Sequence, residues 1–147
     1  MKNVEYYVPN RLDEGYGMNS DAIRSFKDNN VNLIITVDTG IVAIEEAKLA
    51  SELGMDLIIT DHHEMQEELP WAIAVCDLKR RDESYPFREL AGCGMSFKLV
   101  QAMDMFIKNN NTSTNINNEN NVNNVDNNLV LDNEFVNNYL DKNIDVN

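Results

Sequence analysis

Short apolar runs alternate with stretches of helical periodicity along the first two thirds of the chain. Leu33 to Val37, Leu57 to Thr60 and Ala72 to Val75 are β-rich, and Val4 to Val8 is a further such run, closed by Pro9-Asn10. The Leu and Ile positions in these runs are nearly continuous rather than alternating with polar residues. That pattern predicts strands buried on both faces, the habit of parallel sheets. Between them, Ser20 is placed to cap a helix running to about Asn29. Ile41 to Leu53 carries Ala43, Ala47, Ala50 and Leu53 on one stripe, with Gly54 as its stop. Leu99, Val100, Met103, Phe106 and Ile107 then repeat at helical spacing. The order implies an α/β fold: a parallel, Rossmann-like layered sheet with right-handed crossovers.

The pattern changes after Lys108. Residues 109–147 hold 17 Asn in 39 positions, with six acids and one base. Such a tract buries too little apolar surface to offset its ordering entropy, so a low-complexity, mostly disordered tail is expected, with Phe135 to Leu140 as a short amphipathic scrap. The expected division is therefore a folded region over 1–108 and a tail over 109–147.

An internal echo ties the strands to chemistry. Leu33-Ile34-Ile35-Thr36 recurs as Leu57-Ile58-Ile59-Thr60, 24 residues later. Asp38 follows its Thr by two positions, Asp61 by one and His62 by two. If the two strands lie in matching register, Asp38 and His62 project in the same sense and converge beyond the carboxyl ends of the strands, where open α/β sheets bind ligands. Carboxylates and imidazoles suit a divalent transition metal. Two adjacent histidines cannot face the same way on an extended strand, so His62 and His63 are expected to do different jobs, one on metal and one toward substrate or solvent. The other reading makes Asp38 the N-cap of the helix that begins at Ile41, with Asp61 capping a short turn.

A second element is Ala91-Gly92-Cys93-Gly94-Met95-Ser96 at a helix start. There Gly92 and Gly94 either let backbone amides approach a phosphate or simply form a tight turn. Arg11 and the run Lys79, Arg80, Arg81 are further candidate phosphate contacts, against the plainer reading of solvated loop charges. The net charge of −13, of which −8 falls on residues 1–108, excludes a broad electrostatic footprint for nucleic acid and leaves room for a small, metal-neutralised site. Cys76 and Cys93 form neither a CxxC nor a disulfide framework; free thiols and a cytoplasmic location are expected. No apolar run approaches the roughly 20 residues that span a bilayer, so no membrane partner is expected.

Taken in order, four stretches resemble the DHH (also DDH) phosphoesterase superfamily, in its RecJ-type, single-strand-specific DNA exonuclease branch. They are Tyr6-Tyr7-Val8-Pro9-Asn10-Arg11 with Glu14-Gly15-Tyr16-Gly17, then Leu33 through Gly40, then Ile59-Thr60-Asp61-His62-His63-Glu64, and finally Tyr85-Pro86-Phe87 with Leu90 through Leu99. The resemblance implies a metal-dependent phosphodiesterase, using Mn²⁺ or Mg²⁺, that removes nucleotides from the 5′ end of single-stranded DNA. In that scheme Asp38 bridges metals, His62 is a metal ligand, Asp61 supports the same site directly or from behind, and His63 faces the scissile phosphate. Such proteins also carry an earlier strand with a DxD-type motif, a later metal-binding Asp and a second domain. Against that pattern the chain resembles an interior fragment, an incomplete DHH domain expected to bind metal weakly and to be inactive alone, needing a complementary fragment or self-associating. A smaller departure is Cys76-Asp77, where the family usually has Asn-Pro. Other readings are a catalytically dead DHH-derived module that binds a replication or repair partner, and a gene remnant.

Overall fold

The computed structural model describes residues 3–113, with side chains to Asn109. The order of elements is α1 (Ser20–Asp28), β1 (Leu33–Val37), α2 (Ile44–Glu52), β2 (Asp56–Asp61), β3 (Ala74–Asp77) and α3 (Gly92–Ser113). The three strands form one parallel sheet in the order β1-β2-β3, the α/β architecture expected. Two compact units divide the chain after Lys98. The first holds the sheet, α1, α2 and the opening turns of α3; the second contains the rest of α3, where Lys108 pairs with Asp104 one turn away at 2.6 Å.

One face of the sheet carries the core. Ile34, Leu57, Ile59 and Val75 share it, and Ala47 of α2 packs there. Ile23 of α1 and Ala50 of α2 close a second cluster with Met55. The small Ala47 and Ala50, both fully buried, let α2 lie close to the strands. α1 is capped by Asn19, whose side chain accepts from Ala22 N–H at 2.8 Å, so the cap sits one residue before the expected Ser20. α2 starts at Ile44, three residues later than expected, and Ile41 N–H ahead of it donates to the Asp61 carboxylate. Gly54, at φ +71°, ends α2 as expected, its N–H donating to Ser51 and that of Met55 to Ala50.

Val4 to Val8 is not a strand. A strand needs a hydrogen-bonded neighbour, and none lies beside it among the described residues. The segment is instead tied by Tyr7, whose hydroxyl donates to Glu14 at 2.7 Å and whose ring packs edge-on against Phe26. Burial on both faces also fails at β1, where Ile35 and Val37 point to the face opposite Ile34 and are exposed there. The fourth expected run shifts by two residues, to Ala74–Asp77, since pairing with Ile58 to Asp61 decides which residues are extended. α3 continues through Asn109 to Ser113, five residues past the expected boundary. The remainder of the Asn-rich tail, with Phe135 to Leu140, lies outside the described residues. Among the described residues no helix is long and apolar enough to cross a membrane.

Candidate metal centre

Thr36 and Thr60, the last residues of the repeated segments, hold the ends of β1 and β2 together. Thr60 Oγ1 donates to Thr36 O at 2.6 Å, and Thr36 Oγ1 accepts from Thr60 N–H at 3.3 Å while donating to Thr39 O. The register, however, is offset from the repeat by one residue: Leu33 pairs with Asp56 and Val37 with Thr60. Matching register therefore cannot bring Asp38 and His62 together. What does so is the backbone of Asp38, which leaves the strand at φ +62°, in the left-handed region. Its N–H still extends the ladder to Thr60 O at 2.9 Å, and its side chain swings across the strand ends.

Asp38 Oδ1 then lies 3.0 Å from His62 Nε2. Asp38, His62 and His63 each offer one ligand atom, and these atoms lie within 4.8 Å of one another, a span that one ion can bridge. The two histidines share a site because β2 ends at Asp61, so the alternation of an extended strand no longer applies; their rings stand 4.5 Å apart. Asp38 Oδ1 is buried with no hydrogen-bond donor. A carboxylate whose Oδ1 lies 3.0 Å from one imidazole, with the other imidazole within 4.8 Å of the group and no hydrogen bond made by that oxygen, fits a cation. Asp38 does not cap α2, whose N-cap is Ala43 without a side-chain bond.

Asp61 stands behind this group. It is almost fully buried, and both oxygens are engaged. Oδ2 accepts from Ile41 N–H at 2.9 Å, and Oδ1 from His62 N–H at 2.8 Å and from the His63 Nδ1 at 2.7 Å. Burial alone pushes its carboxyl pKa up. The hydrogen bonds from Ile41, His63 and His62 outweigh that and hold it below the usual carboxylate range. Because His63 spends Nδ1 on Asp61, it presents Nε2 outward. His63, Tyr16, Thr39 and Glu46 line a cleft of about 420 Å³ beside the cluster.

The glycines have different roles. Gly92 abuts Asp38, and a Cβ there would overlap its carboxylate. A Cβ at Gly94 would meet the Leu90 side chain first, a packing contact rather than a contact with the cluster. Arg11 is exposed, its guanidinium 5.2 Å over the Tyr16 ring. Tyr16 in turn donates its hydroxyl to Asp38 O at 2.9 Å and meets His63 edge-on. Lys79 and Arg80 are spent on Glu64 and Asp82, which weakens the case for that run as phosphate contacts. Neither cysteine belongs to the cluster. Burial raises the Cys76 thiol pKa, the reverse of an activated nucleophile.

Sequence reasoning named Tyr16 only within a stretch that resembles the family and did not single out Asp77 for the site. Asp77, at the carboxyl end of β3, pairs in register with Asp61 and is 1% exposed. Oδ1 accepts from Lys79 N–H at 2.7 Å, while Oδ2 is buried without a partner. Burial raises its pKa, Asp61 adds to the rise, and His62 is near enough to oppose it. The signal in the sequence was an acid two positions after a β-rich run, much as Asp38 and Asp61 follow theirs.

Comparison with known proteins places these residues in context. The DHH family, N-terminal domain, matches residues 1–129. The single-stranded-DNA-specific exonuclease RecJ of Bacillus subtilis is 55% identical over 100 residues, covering 68% of this chain and 13% of that protein. RecJ of Escherichia coli is 37% identical over 106 residues, covering 72% of this chain and 18% of that protein. The chain thus spans less than a fifth of the length of these relatives. A crystal structure of exonuclease RecJ bound to manganese superposes with a TM-score of 0.53 at 29% identity, covering 62% of this chain and 23% of that one.

Proposed function

The chain belongs to the DHH family, and on that premise we propose that it carries part of the metal centre of a RecJ-type exonuclease, acting on single-stranded DNA from the 5′ end. The observation that carries this reading is the buried, donor-less Oδ1 of Asp38 grouped with His62 and His63. Asp38 and His62 would hold a divalent ion, Mn²⁺ or Mg²⁺. Asp61 holds His63 from behind, a carboxylate–histidine pair that fixes the ring. His63 turns Nε2 toward the cleft, where it would face an oxygen of the scissile phosphate. Gly92 leaves the Asp38 carboxylate room to face the ion. Arg11, exposed beside Tyr16, is the candidate contact for a neighbouring phosphate. A bound divalent ion supplies a water of lowered pKa and neutralises charge on the phosphate.

Asp38 and His62 alone would hold one ion weakly, and even with His63 the group falls short of a two-ion set. The chain alone is accordingly proposed to be inactive on DNA and to act with complementary chain segments, in the cytoplasm, where its two free thiols persist. The exposed Ile35 and Val37 of the edge strand favour a second reading, a catalytically dead module that binds a protein partner.

Two measurements separate the readings. Free Mn²⁺ followed by electron paramagnetic resonance should fall as the chain is added, and Asp38→Ala should abolish the effect. Grafting residues 3–103 into the matching segment of the Bacillus subtilis relative should preserve release of nucleotides from 5′-labelled single-stranded DNA, again lost with Asp38→Ala. Absence of Mn²⁺ binding together with an inactive graft would leave the partner-binding reading.

A further inference from the structure

Each imidazole at this site has two nitrogens to place. For His63 the structure shows the arrangement: Nδ1 donates to the buried Asp61 at 2.7 Å, and the ring is held with Nε2 outward. For His62, Nε2 is the nitrogen near Asp38, and the ring makes no hydrogen bond among the described residues. A carboxylate with the opposite deficit lies on the next strand. Asp77 is 1% exposed; one oxygen accepts from Lys79 N–H and the other is buried without a partner. Register places Asp77 beside Asp61, at the same edge of the same sheet face, with His62 directly following Asp61 in the chain.

We propose that Asp77 is a positioning residue for His62, its Oδ2 accepting through one bridging water the hydrogen bond of His62 Nδ1–H, so that Nε2 stays turned toward Asp38. Buried oxygens without a protein partner are ordinarily satisfied by an ordered water, and a water relay of this kind is nearly as favourable as a direct bond. Histidines that bind metals almost always donate the remaining N–H to a carboxylate, carbonyl or water, and loss of that partner weakens metal binding by about 10–100-fold. The site then has two parallel carboxylate–histidine pairs, Asp61 with His63 and Asp77 with His62. The purpose of the arrangement rests on the metal-centre reading above; the hydrogen bond itself does not.

The test uses the full chain and the isosteric Asp77→Asn. With its carbonyl oxygen retained by Lys79 N–H, the Asn presents an NH₂ where Oδ2 stood, which cannot accept from the bridging water and so withdraws the acceptor that anchors it against His62 Nδ1–H. Long-range ¹⁵N–¹H spectra of the histidine rings, recorded without metal, should show a His62 Nδ1–H held against exchange with solvent in the wild type and released in Asp77→Asn, with the His63 pattern unchanged. Mn²⁺ affinity should fall by about tenfold or more in the variant. A bare or freely exchanging His62 Nδ1 in the wild type, unchanged exchange in Asp77→Asn, or an unchanged Mn²⁺ affinity would overturn the assignment. The wild-type spectrum decides even if the variant fails to fold. If the wild type binds no Mn²⁺, the metal-centre reading falls, while the ring spectra still decide the Asp77 bond.

Discussion

Gly92, the first residue of α3, stands directly against the Asp38 carboxylate, leaving no space for a side-chain carbon between them. Helix propensity alone would favour Ala over Gly at a helical position by about 1 kcal/mol. Steric overlap with Asp38 reverses that sign. Gly92→Ala is expected to destabilise the chain by about 1–3 kcal/mol, or to displace Asp38 and weaken Mn²⁺ binding by roughly tenfold. Gly94→Ala, whose Cβ would meet the Leu90 side chain first, at 3.2 Å, should cost far less on both measures. Thermal unfolding and Mn²⁺ titration of the two variants check the contrast; equal effects would remove the special role of Gly92.

Asp61 couples the site to acid stability. Its folded pKa is depressed, since hydrogen bonds from Ile41, His63 and His62 outweigh the cost of burial. The stabilisation is therefore fully present above the unfolded carboxyl pKa of about 3.9 and is lost as the pH falls through the lower folded value. Asp61→Asn should flatten the acid limb of a stability-against-pH curve. At neutral pH it should cost on the order of 2 kcal/mol, because an NH₂ then faces an N–H donor. Urea unfolding at a series of pH values below 5 measures both; an unchanged acid limb would count against the hydrogen-bonded carboxylate.

Tyr16 connects three parts of the site: its hydroxyl donates to Asp38 O, its ring meets His63, and Arg11 lies over it. Tyr16→Phe should cost about 0.5–1.5 kcal/mol through the lost hydrogen bond. In the grafted protein, Arg11→Ala should lower affinity for single-stranded DNA and reduce the slope of log K against log salt by about 0.7, as for one phosphate contact on a single strand. A salt slope unchanged by Arg11→Ala would remove Arg11 from the phosphate-contact role.

The N-terminal segment and the sheet edge should separate in hydrogen exchange. Val4 to Val8 is exposed and outside the sheet, whereas β2 is paired on both sides. Amides of Leu57 to Asp61 should exchange orders of magnitude more slowly than those of Val4 to Val8. The exposed Ile35 and Val37 on edge strand β1 should make the isolated chain associate with rising concentration. Size-exclusion chromatography tests this: a sharp monomer peak across a hundredfold concentration range would oppose it.

By itself the sequence determined the α/β class, one of the helices nearly to the residue, and the identity of the acids and imidazoles at the strand ends. These features follow from local periodicity and from residue chemistry, both written within short windows of chain. Tertiary structure decided the rest. The repeat of Leu-Ile-Ile-Thr suggested a matched register, yet pairing slides the strands by one residue, and Asp38 reaches His62 only through its left-handed backbone. Val4 to Val8 has the composition of a strand, but strand formation depends on a neighbour that composition does not specify. Asp61 is buried and hydrogen-bonded because the amide of Ile41, 20 residues earlier in the chain, folds onto its carboxylate. Gly92 and Asp77 join the site for the same reason: sheet pairing and helix placement bring into contact residues that are 54 and 16 positions from Asp38 and Asp61. Such contacts are absent from any local pattern, because they exist only once the chain has closed on itself.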